Sequence, residues 1–388
     1  MSVESRASDL LGALRERGTH RQMRVMAGAQ STRMSVDGRE VLLFAGSNYL
    51  DLAHHPEVVE AAAAAAREFG CAAGGSRLIN GNLEIHQALE SELAEFLGTE
   101  AALVFSTGYM ANVGVIPALA GRGDLVISDA LSHASIIDGC RLSHAEVRVF
   151  PHGDLDCLEK ELREAASTRR EVLVVVDGVY SMDGDVAPLA ELVPLAKNWG
   201  ATVLVDDAHG TGTLGATGRG SAEHCGVSSD VDVLLGTLGK SLGSFGAFIA
   251  GSRELRDLLV NTARSFIFSC ALAPPQVAAA RAALEVMRRE PWRRERLSQN
   301  ADRLRNGLEQ RGISTAPSAT HILPVIVGDN DATMELCERL LESGVYAQGI
   351  RHPSVPDGTA RLRITPMATH RSGEIDHLID LLAKELIG

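Results

Sequence analysis

The sequence predicts an α/β protein, with a mostly parallel sheet in a large domain and a smaller α+β domain towards the C-terminal end. Short runs rich in Val, Leu and Ile recur between helical segments without polar alternation, as parallel strands buried on both faces do. After residue 291 the predicted order changes to strand, helix, strand, strand, helix, which is typical of an antiparallel α+β unit. A chain of 388 residues is also long enough for more than one domain.

The first 55 residues are predicted to form an N-terminal segment. Three leucines between residues 10 and 14 have helical spacing, and a short hairpin is expected to turn at Asp37-Gly38. An alanine-rich helix is predicted from Glu57 to Phe69, because the preceding Pro56 is favoured at a helix N-terminus. This helix opens the large domain.

The large domain is predicted to cover residues 56–290 and the C-terminal domain residues 291–388. The strands expected in the large domain are AALVFS, LVISD, AEVRVF, EVLVVVDG, ATVLVDD and VDVLLGT. In the C-terminal domain, strands are expected at HILPVIVG, VYAQGIR and ARLRITP, with helices near TMELCERLLESG and from Gly373.

Composition excludes several classes of function. The chain has 37 Lys and Arg residues against 50 Asp and Glu residues, a formal net charge of −13, which opposes nucleic-acid binding. The six cysteines form no C-x-x-C pair and have no His at ligand spacing, so neither a zinc site nor a redox dithiol is expected. There is no signal-peptide pattern and no run near the ~20 apolar residues of a membrane span, so we expect a cytoplasmic protein.

Two glycine motifs resemble nucleotide loops but depart from them. Gly210-x-Gly212-x-x-Gly215 follows a strand, yet a loop and no helix follows it, which argues against a nicotinamide dehydrogenase. Gly239-Lys240-Ser241 ends like a phosphate loop, but Leu234 stands where the first glycine of that loop is required.

Reactive side chains follow three of the predicted strands, at the edge where open α/β sheets bind ligands. VLVDDAHG places Asp206 and His209 after one strand, VVVDGVYSMDGD places Ser181 after another, and LLGTLGKS places Lys240 after a third. A single polar residue at a strand end is more often a helix cap or a solvated side chain. Three reactive residue types at one edge favour a binding site.

The chemistry of these residues points to pyridoxal phosphate. An amine such as Lys240 can form a Schiff base with an aldehyde, and a carboxylate such as Asp206 can keep a pyridine nitrogen protonated. The free amides of FSTGYMAN, between a strand and a helix, could bind a phosphate, and His133 could lie on an aromatic ring. We expect the nearby glycines to let the backbone approach the cofactor.

The chain resembles the α-oxoamine synthases, a family of pyridoxal-phosphate enzymes with the fold type I of the aminotransferase-like class. The similar blocks cover almost the whole chain: SNYLDLAHHPEV, GGSRLINGNLEIHQALE, STGYMAN, DALSHASIIDG, GVYSMDGD, VDDAHGTGTLGATGRGS, GTLGKSLG, FIFSCALAPP and VPDGTARLRITPMATH. The resemblance implies a C-acyltransferase that acts as a homodimer with shared active sites. From the charge and the lack of a long apolar run, neither nucleic acid nor membrane is expected as a partner.

The resemblance also implies roles for individual residues. Lys240 would hold the cofactor covalently, His133 would stack on its ring, and Asp206 would pair with the pyridine nitrogen. The other implied cofactor contacts are His209 and Ser181 near the phenolic oxygen, Gly108, Tyr109 and Thr237 at the phosphate, and Ser269 at the phosphate of the partner subunit.

Arg363 in RLRIT matches the arginine with which the family binds the carboxylate of the amino acid, a group that the planar guanidinium can grip with two hydrogen bonds. Further substrate contacts are expected from Asn48, Arg21, Arg351, Ser354 and Ser76. No metal is expected.

The implied reaction is the decarboxylative condensation of a small amino acid with an acyl thioester. IRHPSVPDGTARLRIT is most similar to the biotin-pathway members, which join alanine to a pimeloyl thioester. Ser76 favours alanine or a larger amino acid, since glycine-specific members carry a larger threonine there. Members that join glycine to acetyl-CoA, secondary-metabolism synthases with another acyl donor, and an inert partner subunit remain alternatives, and the thioester carrier is either coenzyme A or a carrier protein.

Overall fold

The computed structural model describes residues 2–168 and 170–387, which divide into two compact units. The larger unit comprises Ser47–Ser181 and Asp185–Glu295. The smaller unit comprises the residues up to Gly46, the short segment Met182–Gly184 and the residues from Arg296 onward. The predicted segment 1–55 is therefore divided between the units at Gly46, and the observed boundary at Glu295 lies shortly after the predicted one at residue 290.

The secondary structure alternates between helices and strands for most of the chain. The helices are α1 (Val3–Glu16), α2 (Pro56–Phe69), α3 (Glu84–Leu97), α4 (Gly108–Leu119), α5 (Ala134–Ser143), α6 (Leu155–Ser167), α7 (Leu189–Asn198), α8 (Ser221–His224), α9 (Arg253–Thr262), α10 (Arg264–Ile267), α11 (Pro274–Arg289), α12 (Trp292–Glu309), α13 (Asn330–Glu342) and α14 (Ser372–Ile387). The strands are β1 (Met26–Ala27), β2 (Arg33–Val36), β3 (Arg39–Leu43), β4 (Ala101–Phe105), β5 (Leu125–Asp129), β6 (Glu146–Phe150), β7 (Val172–Asp177), β8 (Thr202–Asp206), β9 (Val233–Thr237), β10 (Ala247–Gly251), β11 (Leu323–Gly328), β12 (Val345–Tyr346), β13 (Gln348–Ile350) and β14 (Ala360–Ile364).

The larger unit contains a seven-stranded sheet of order β4-β10-β9-β8-β7-β5-β6. The pairs from β9 to β6 are all parallel, whereas β10 is antiparallel to both of its neighbours. The predicted mostly parallel sheet is thus confirmed, and each of the six predicted runs is a strand. Strand β10, a short run of small and apolar residues, was not predicted. Strand β6 lies at the sheet edge and is largely exposed, so the predicted burial of this strand on both faces is wrong.

An apolar core lies between this sheet and helices α4, α5 and α9. Its members are almost completely buried, and burial of such a side chain contributes about 1.5–3 kcal/mol. From the strands they include Val126, Val175, Leu204 and Leu235, and from the helices Ala111, Val115, Ile136 and Leu259. The core fixes the parallel strands in register, so that their carboxyl ends meet at one edge.

The smaller unit contains two sheets, of order β1-β2-β3-β12 and β11-β14-β13. The predicted hairpin is confirmed: β2 and β3 are joined by Asp37 (φ 48°) and Gly38 (φ 81°), the positive angles of a type I′ turn. The run VYAQGIR, predicted as one strand, forms two, because β12 pairs with β3 and β13 pairs with β14 in the other sheet. The antiparallel sheet and its helices confirm the predicted α+β character.

Helix α1 forms as its leucine spacing predicts, but none of its residues is buried, and Leu10 is 57% exposed.

No helix within residues 2–168 and 170–387 combines the length and the apolar character needed to cross a bilayer.

Gly236 lies in the middle of β9, opposite Phe248 of β10. A Cβ at this position would lie 2.2 Å from the Phe248 ring, so we expect Gly236→Ala to reduce the free energy of unfolding by about 1–3 kcal/mol. Urea unfolding of G236A, F248L and the double variant measures this. The alanine should cost less beside the smaller leucine side chain of F248L, and additive effects of the two substitutions would contradict the proposed clash.

Candidate active site

The carboxyl ends of β8 and β9 bring Lys240 and His209 into contact. Lys240 follows β9 after a tight turn, and His209 lies three residues after the end of β8. Lys240 Nζ is 3.0 Å from His209 Nε2, and the Tyr49 hydroxyl is 2.7 Å from His209 Nδ1. Both nitrogens of the imidazole are therefore engaged, and the ring is fixed in an orientation that faces the lysine amine.

Asp206 is the last residue of β8, and Asn112 of helix α4 fixes its carboxylate. The Asn112 amide donates to Asp206 Oδ2 at 2.7 Å, and the Ala208 amide donates to Oδ1 at 3.1 Å. Asp206 is only 5% exposed and Asn112 is completely buried. Asn112 Oδ1 is buried as well and has no hydrogen-bond partner in the described part of the chain. The carboxylate is thus held rigidly at the base of the site.

The same asparagine orients His133 through a hydroxyl. Asn112 Nδ2 donates to Ser135 Oγ at 2.9 Å, which leaves the Ser135 hydroxyl to donate to His133 Nδ1 at 2.7 Å. Burial lowers the pKa of His133; the Asp206 carboxylate opposes this and the Lys240 amine reinforces it. The net result is a neutral imidazole, which suits a ring that stacks on an aromatic ligand.

Asp177, the last residue of β7, holds the backbone of the His133 turn. The His133 amide donates to Asp177 Oδ2 at 2.9 Å. Burial, together with the nearby Asp206 carboxylate, raises the pKa of Asp177 well above its usual range. Asn112, Ser135, Tyr49 and Asp177 were not predicted from the sequence, although Asp177 shares the strand-end position that identified Asp206.

The N-terminus of α4 offers free amides next to these side chains. Thr107 caps the helix by accepting from the Met110 amide at 3.0 Å, so the amides of Gly108 and Tyr109 lie in the uncapped first turn. A Cβ at Gly108 would meet no atom within 4 Å. A helix N-terminus with open space before it is suited to an anion such as phosphate.

Two more residues, Thr237 and Ser269, were predicted at a phosphate, and Ser76 was predicted at the substrate. Thr237 Oγ1 donates to the Gly246 carbonyl at 3.0 Å and accepts from the Gly239 amide at 3.2 Å, which shapes the turn before Lys240. Ser76 pairs with Cys270, the residue after Ser269, in an isolated bridge. The Ser106 hydroxyl just before α4 donates to the Cys270 carbonyl at 3.1 Å, so Ser76 and Ser269 lie beside the strand-to-helix turn.

Ser181 lies in a loop whose base is held by an ionised histidine. His152 Nδ1 contacts both Asp129 oxygens at 3.0 and 3.1 Å, and its Nε2 is 2.8 Å from Asp185 Oδ2. Backbone pairing of Val179 with Val186 closes the loop around Ser181. The hydrogen bonds to Asp129 and Asp185 raise the pKa of His152 to about 10, so the imidazolium persists through neutral pH.

Asn48 lies in the larger unit and engages its own loop. Its Oδ1 accepts from the Leu52 and Ala53 amides at 3.0 and 3.1 Å, and its Nδ2 donates to Asp51. Its neighbour Tyr49 is the residue that reaches His209.

The remaining predicted substrate residues lie in the smaller unit. Arg363 is a buried residue of β14, and Arg361, two positions earlier on the same face, is engaged by Asp183. Arg351 donates to the His20 carbonyl, and the adjacent Arg21 donates to Ser354 Oγ at 3.4 Å. Arg21, Arg351 and Ser354 therefore form one cluster.

Within the described ranges, no three His, Cys, Asp or Glu side chains are grouped as a metal site would require.

Comparison with known proteins identifies a matching family and several similar proteins. Residues 39–382 match the family model described as aminotransferase class I and II. The chain is 51% identical over 376 residues to 8-amino-7-oxononanoate synthase of Geobacter sulfurreducens, and 51% identical over 375 residues to that of Geotalea daltonii. These alignments cover 96% of this chain in each case, and 96% and 95% of the relatives.

Solved structures resemble the chain over nearly its whole length. Serine palmitoyltransferase of Sphingomonas wittichii has a TM-score of 0.93 at 38% identity, with 99% of this chain and 98% of that one covered. A serine palmitoyltransferase of S. paucimobilis, solved with a PLP-myriocin aldimine bound, has a TM-score of 0.94 at 35% identity over the same shares.

The His152 contacts predict a pH-dependent contribution to stability. Since the pKa is raised from 6.5 to about 10 in the folded chain, this contribution is fully present below pH 6.5 and is lost as the pH rises through about 10. Urea unfolding of the wild type and of His152→Gln, measured at intervals between pH 6 and 10, should show their difference in stability shrinking with rising pH. The exposed His377 gives the control variant H377Q, and a difference that is constant with pH would contradict the ionised clamp.

Proposed function

The chain belongs to the aminotransferase class I and II family and has the fold type I of pyridoxal-phosphate enzymes, and on this premise we propose that it condenses alanine with a pimeloyl thioester, with loss of carbon dioxide. The product would be 8-amino-7-oxononanoate, an intermediate of biotin biosynthesis. Two observations support the proposal at different levels. The contact of Lys240 with His209 beside Asp206 carries the reaction class, and the 51% identity to 8-amino-7-oxononanoate synthases over 96% of both chains supports the substrates.

Pyridoxal phosphate fits the residues of the larger unit. Lys240 would hold its aldehyde carbon, Asp206 would face its ring nitrogen, and the first turn of α4 at Gly108 and Tyr109 would take its phosphate. Asn112 Oδ1 has no hydrogen-bond partner among the described residues, so it still has a hydrogen bond to accept. The space next to Gly108, at the start of α4, is open. When bound, the cofactor supplies an electron sink for negative charge that develops at the Cα atom of the amino acid.

The protein's own side chains would orient and move protons. The amine of the amino acid would replace Lys240 on the aldehyde carbon, and the freed Lys240 Nζ would then take the Cα proton. His209, fixed by Tyr49 on its other nitrogen, lies 3.0 Å from that amine and orients it. The Asn112 and Ala208 amides both donate to Asp206 and hold its carboxyl group in place. His133, neutral and held by Ser135, would cover the ring face without adding a charge.

Arginines of the smaller unit would bind the acidic groups of the substrates. Arg363 would grip the carboxylate of the amino acid with its planar fork. The cluster of Arg21, Arg351 and Ser354 offers guanidinium groups for the acyl donor, whose thioester is carried by coenzyme A or by a carrier protein. Asn48 and Ser76 would complete the amino-acid side of the site, where the small Ser76 leaves room for the methyl group of alanine.

We further propose a homodimer with shared sites, in which Ser269 reaches the phosphate bound by the partner subunit. Large apolar side chains near this residue support a covered surface: Phe268 is 71% exposed and Ile79 is 83% exposed in the single chain. The bridge between Ser76 and Cys270 brings the segments of these two side chains together, and contiguous exposed apolar surface commonly marks an interface between proteins.

Lys240→Ala should abolish turnover, because no other amine replaces the one that contacts His209. The variant should also lose the visible absorption of covalently held pyridoxal phosphate when the cofactor is added. Lys160, an exposed residue of α6, provides the control variant K160A, which should keep both properties. Retention of the absorption band in K240A would rule out the assignment of this lysine.

Substrate choice is tested by release of free thiol from acyl thioesters. Alanine with pimeloyl-CoA or pimeloyl carrier protein should give the highest kcat/KM, and the product should lack the carboxyl group of alanine by mass spectrometry. Glycine with acetyl-CoA and serine with palmitoyl-CoA are the competing pairs. A higher kcat/KM for either would replace the proposed substrates, and release by no pair would reject the synthase.

A further inference from the structure

Asp207 is a buried carboxyl group to which the proposed reaction gives no task. It follows Asp206 directly and is 1% exposed. Its backbone carbonyl accepts from the Gly210 and Thr211 amides at 3.1 and 2.9 Å, which forms the turn that contains His209. Its side chain makes a separate hydrogen bond, in which Oδ2 accepts from the Ser221 amide at the start of α8 at 2.9 Å.

Three glycines enclose this carboxyl group. A Cβ atom on Gly178, Gly210 or Gly220 would lie 2.5, 2.1 or 1.6 Å from a carboxylate oxygen of Asp207, whereas real Cβ atoms essentially never come within 3.0 Å of another heavy atom. The three glycines come from separate segments: after β7, after β8 and before α8. The loop from β8 to α8, which contains Gly210 and Gly220, and the loop after β7 therefore close around one side chain.

This enclosure changes the interpretation of the glycine-rich sequence HGTGTLGATGRG, which was expected to let the backbone approach the cofactor. Gly210 and Gly220 instead make room for Asp207, and a Cβ at Gly215 would meet the Glu223 carboxylate. Glu223 in turn accepts from the Thr217 and Arg219 amides at 3.1 and 3.0 Å. Two internal carboxyl groups organise this loop.

The surroundings of Asp207 favour its neutral form. Burial raises its pKa to about 7, the adjacent Asp206 charge acts in the same direction, and the Ser221 hydrogen bonds and the Lys240 amine oppose them. Cys225 is a further titratable group close to Asp207. Asp207 Oδ1 is buried and has no hydrogen-bond partner within the described residues, an arrangement that costs less for a protonated acid than for an ion.

The enclosed loop also touches the turn that contains the lysine. A Cβ at Gly212 would lie 2.7 Å from the Ser241 Cβ atom, and Ser241 directly follows Lys240. Asp207 thus fixes one backbone segment that presents His209 on one side and packs against the lysine turn on the other.

We propose that Asp207 is a positioning residue whose carboxyl group, as the neutral acid, closes the three glycine segments and thereby holds His209 against Lys240. The effect on turnover rests on the proposed function. The closure of the loops does not rest on the proposed function, so it is tested separately by measuring the stability of the folded protein.

A double-mutant cycle tests the enclosure in the full-length protein, with and without added pyridoxal phosphate. Gly210 has no left-handed φ, so its backbone tolerates alanine and the cost of Gly210→Ala comes from the contact with Asp207. By urea unfolding, G210A should be strongly destabilising in the wild type and clearly less so beside Asp207→Ala. G121A is the control, since a Cβ there would meet only Asp124 at 3.9 Å. Additive effects of G210A and D207A would overturn the enclosure.

The neutral form is tested with Asp207→Asn, which keeps the shape and removes the titration. An acid whose pKa is raised from 3.8 to about 7 by folding stabilises the folded chain fully below pH 3.8 and loses that contribution as the pH rises to about 7. The midpoint of urea unfolding of D207N, relative to the wild type, should therefore rise between pH 5 and pH 8. An unchanged difference, or a falling one, would show that Asp207 is ionised.

Turnover separates positioning from a purely structural role. D207N should keep kcat near the wild-type value at pH 7, whereas D207A should lose roughly 10-fold or more, as expected when a reacting group moves by a fraction of an ångström. If D207A does not fold, D207N alone decides, because a loss of kcat in D207N would show that the charge is needed and would overturn the proposal. If no variant or wild-type sample turns over, the proposed function fails, while the two stability experiments still test the enclosure.

Discussion

The constraint on which the site depends is the burial of carboxyl groups at the carboxyl ends of three neighbouring parallel strands. Asp129, Asp177 and Asp206 end β5, β7 and β8, and the parallel arrangement brings all three to one edge of the sheet. Each buried acid needs its own partner, because burying a polar group without a hydrogen bond is costly. His152 pairs with Asp129, the His133 amide with Asp177, and the Asn112 amide with Asp206. Two of these residues, His133 and Asp206, are ones that we assign to the cofactor.

Two hydrogen-bonded chains follow from this arrangement. Tyr49, His209 and Lys240 form one, and it orients the amine that we propose as the covalent anchor and proton carrier. The other runs from Asn112 to Asp206 on one side and through Ser135 to His133 on the other, so one buried amide orients both a carboxylate and a neutral ring. The net charge of −13 does not oppose anionic ligands, because positive charge is placed locally, at Lys240 and at the α4 N-terminus.

Much of the fold could be predicted from the sequence, since runs such as EVLVVVDG are long and apolar enough to indicate buried strands. Strand β10 could not, because AFIAG is short and its antiparallel pairing depends on distant β4 and β9. In the site, Lys240, Asp206, His209 and Ser181 could be predicted from their positions after strands, and His133 from the chemistry of an imidazole that stacks on a ring, while Arg363 depended on the resemblance to a family. Asn112 and Ser135 lie within helices, where a polar residue has no such signal. Asp207 was overlooked because the glycines around it match a ligand-binding pattern, although they serve an internal side chain.

The covalent attachment of pyridoxal phosphate to Lys240 is the central claim, and chemical trapping measures it most directly. The full-length protein is incubated with pyridoxal phosphate, reduced with borohydride and digested, and the modified peptide is identified by mass spectrometry. We predict one stoichiometric modification, on the Lys240 side chain in the peptide that contains GTLGKSLG. Modification of a different lysine, or none above the level of a protein that does not bind the cofactor, would contradict it.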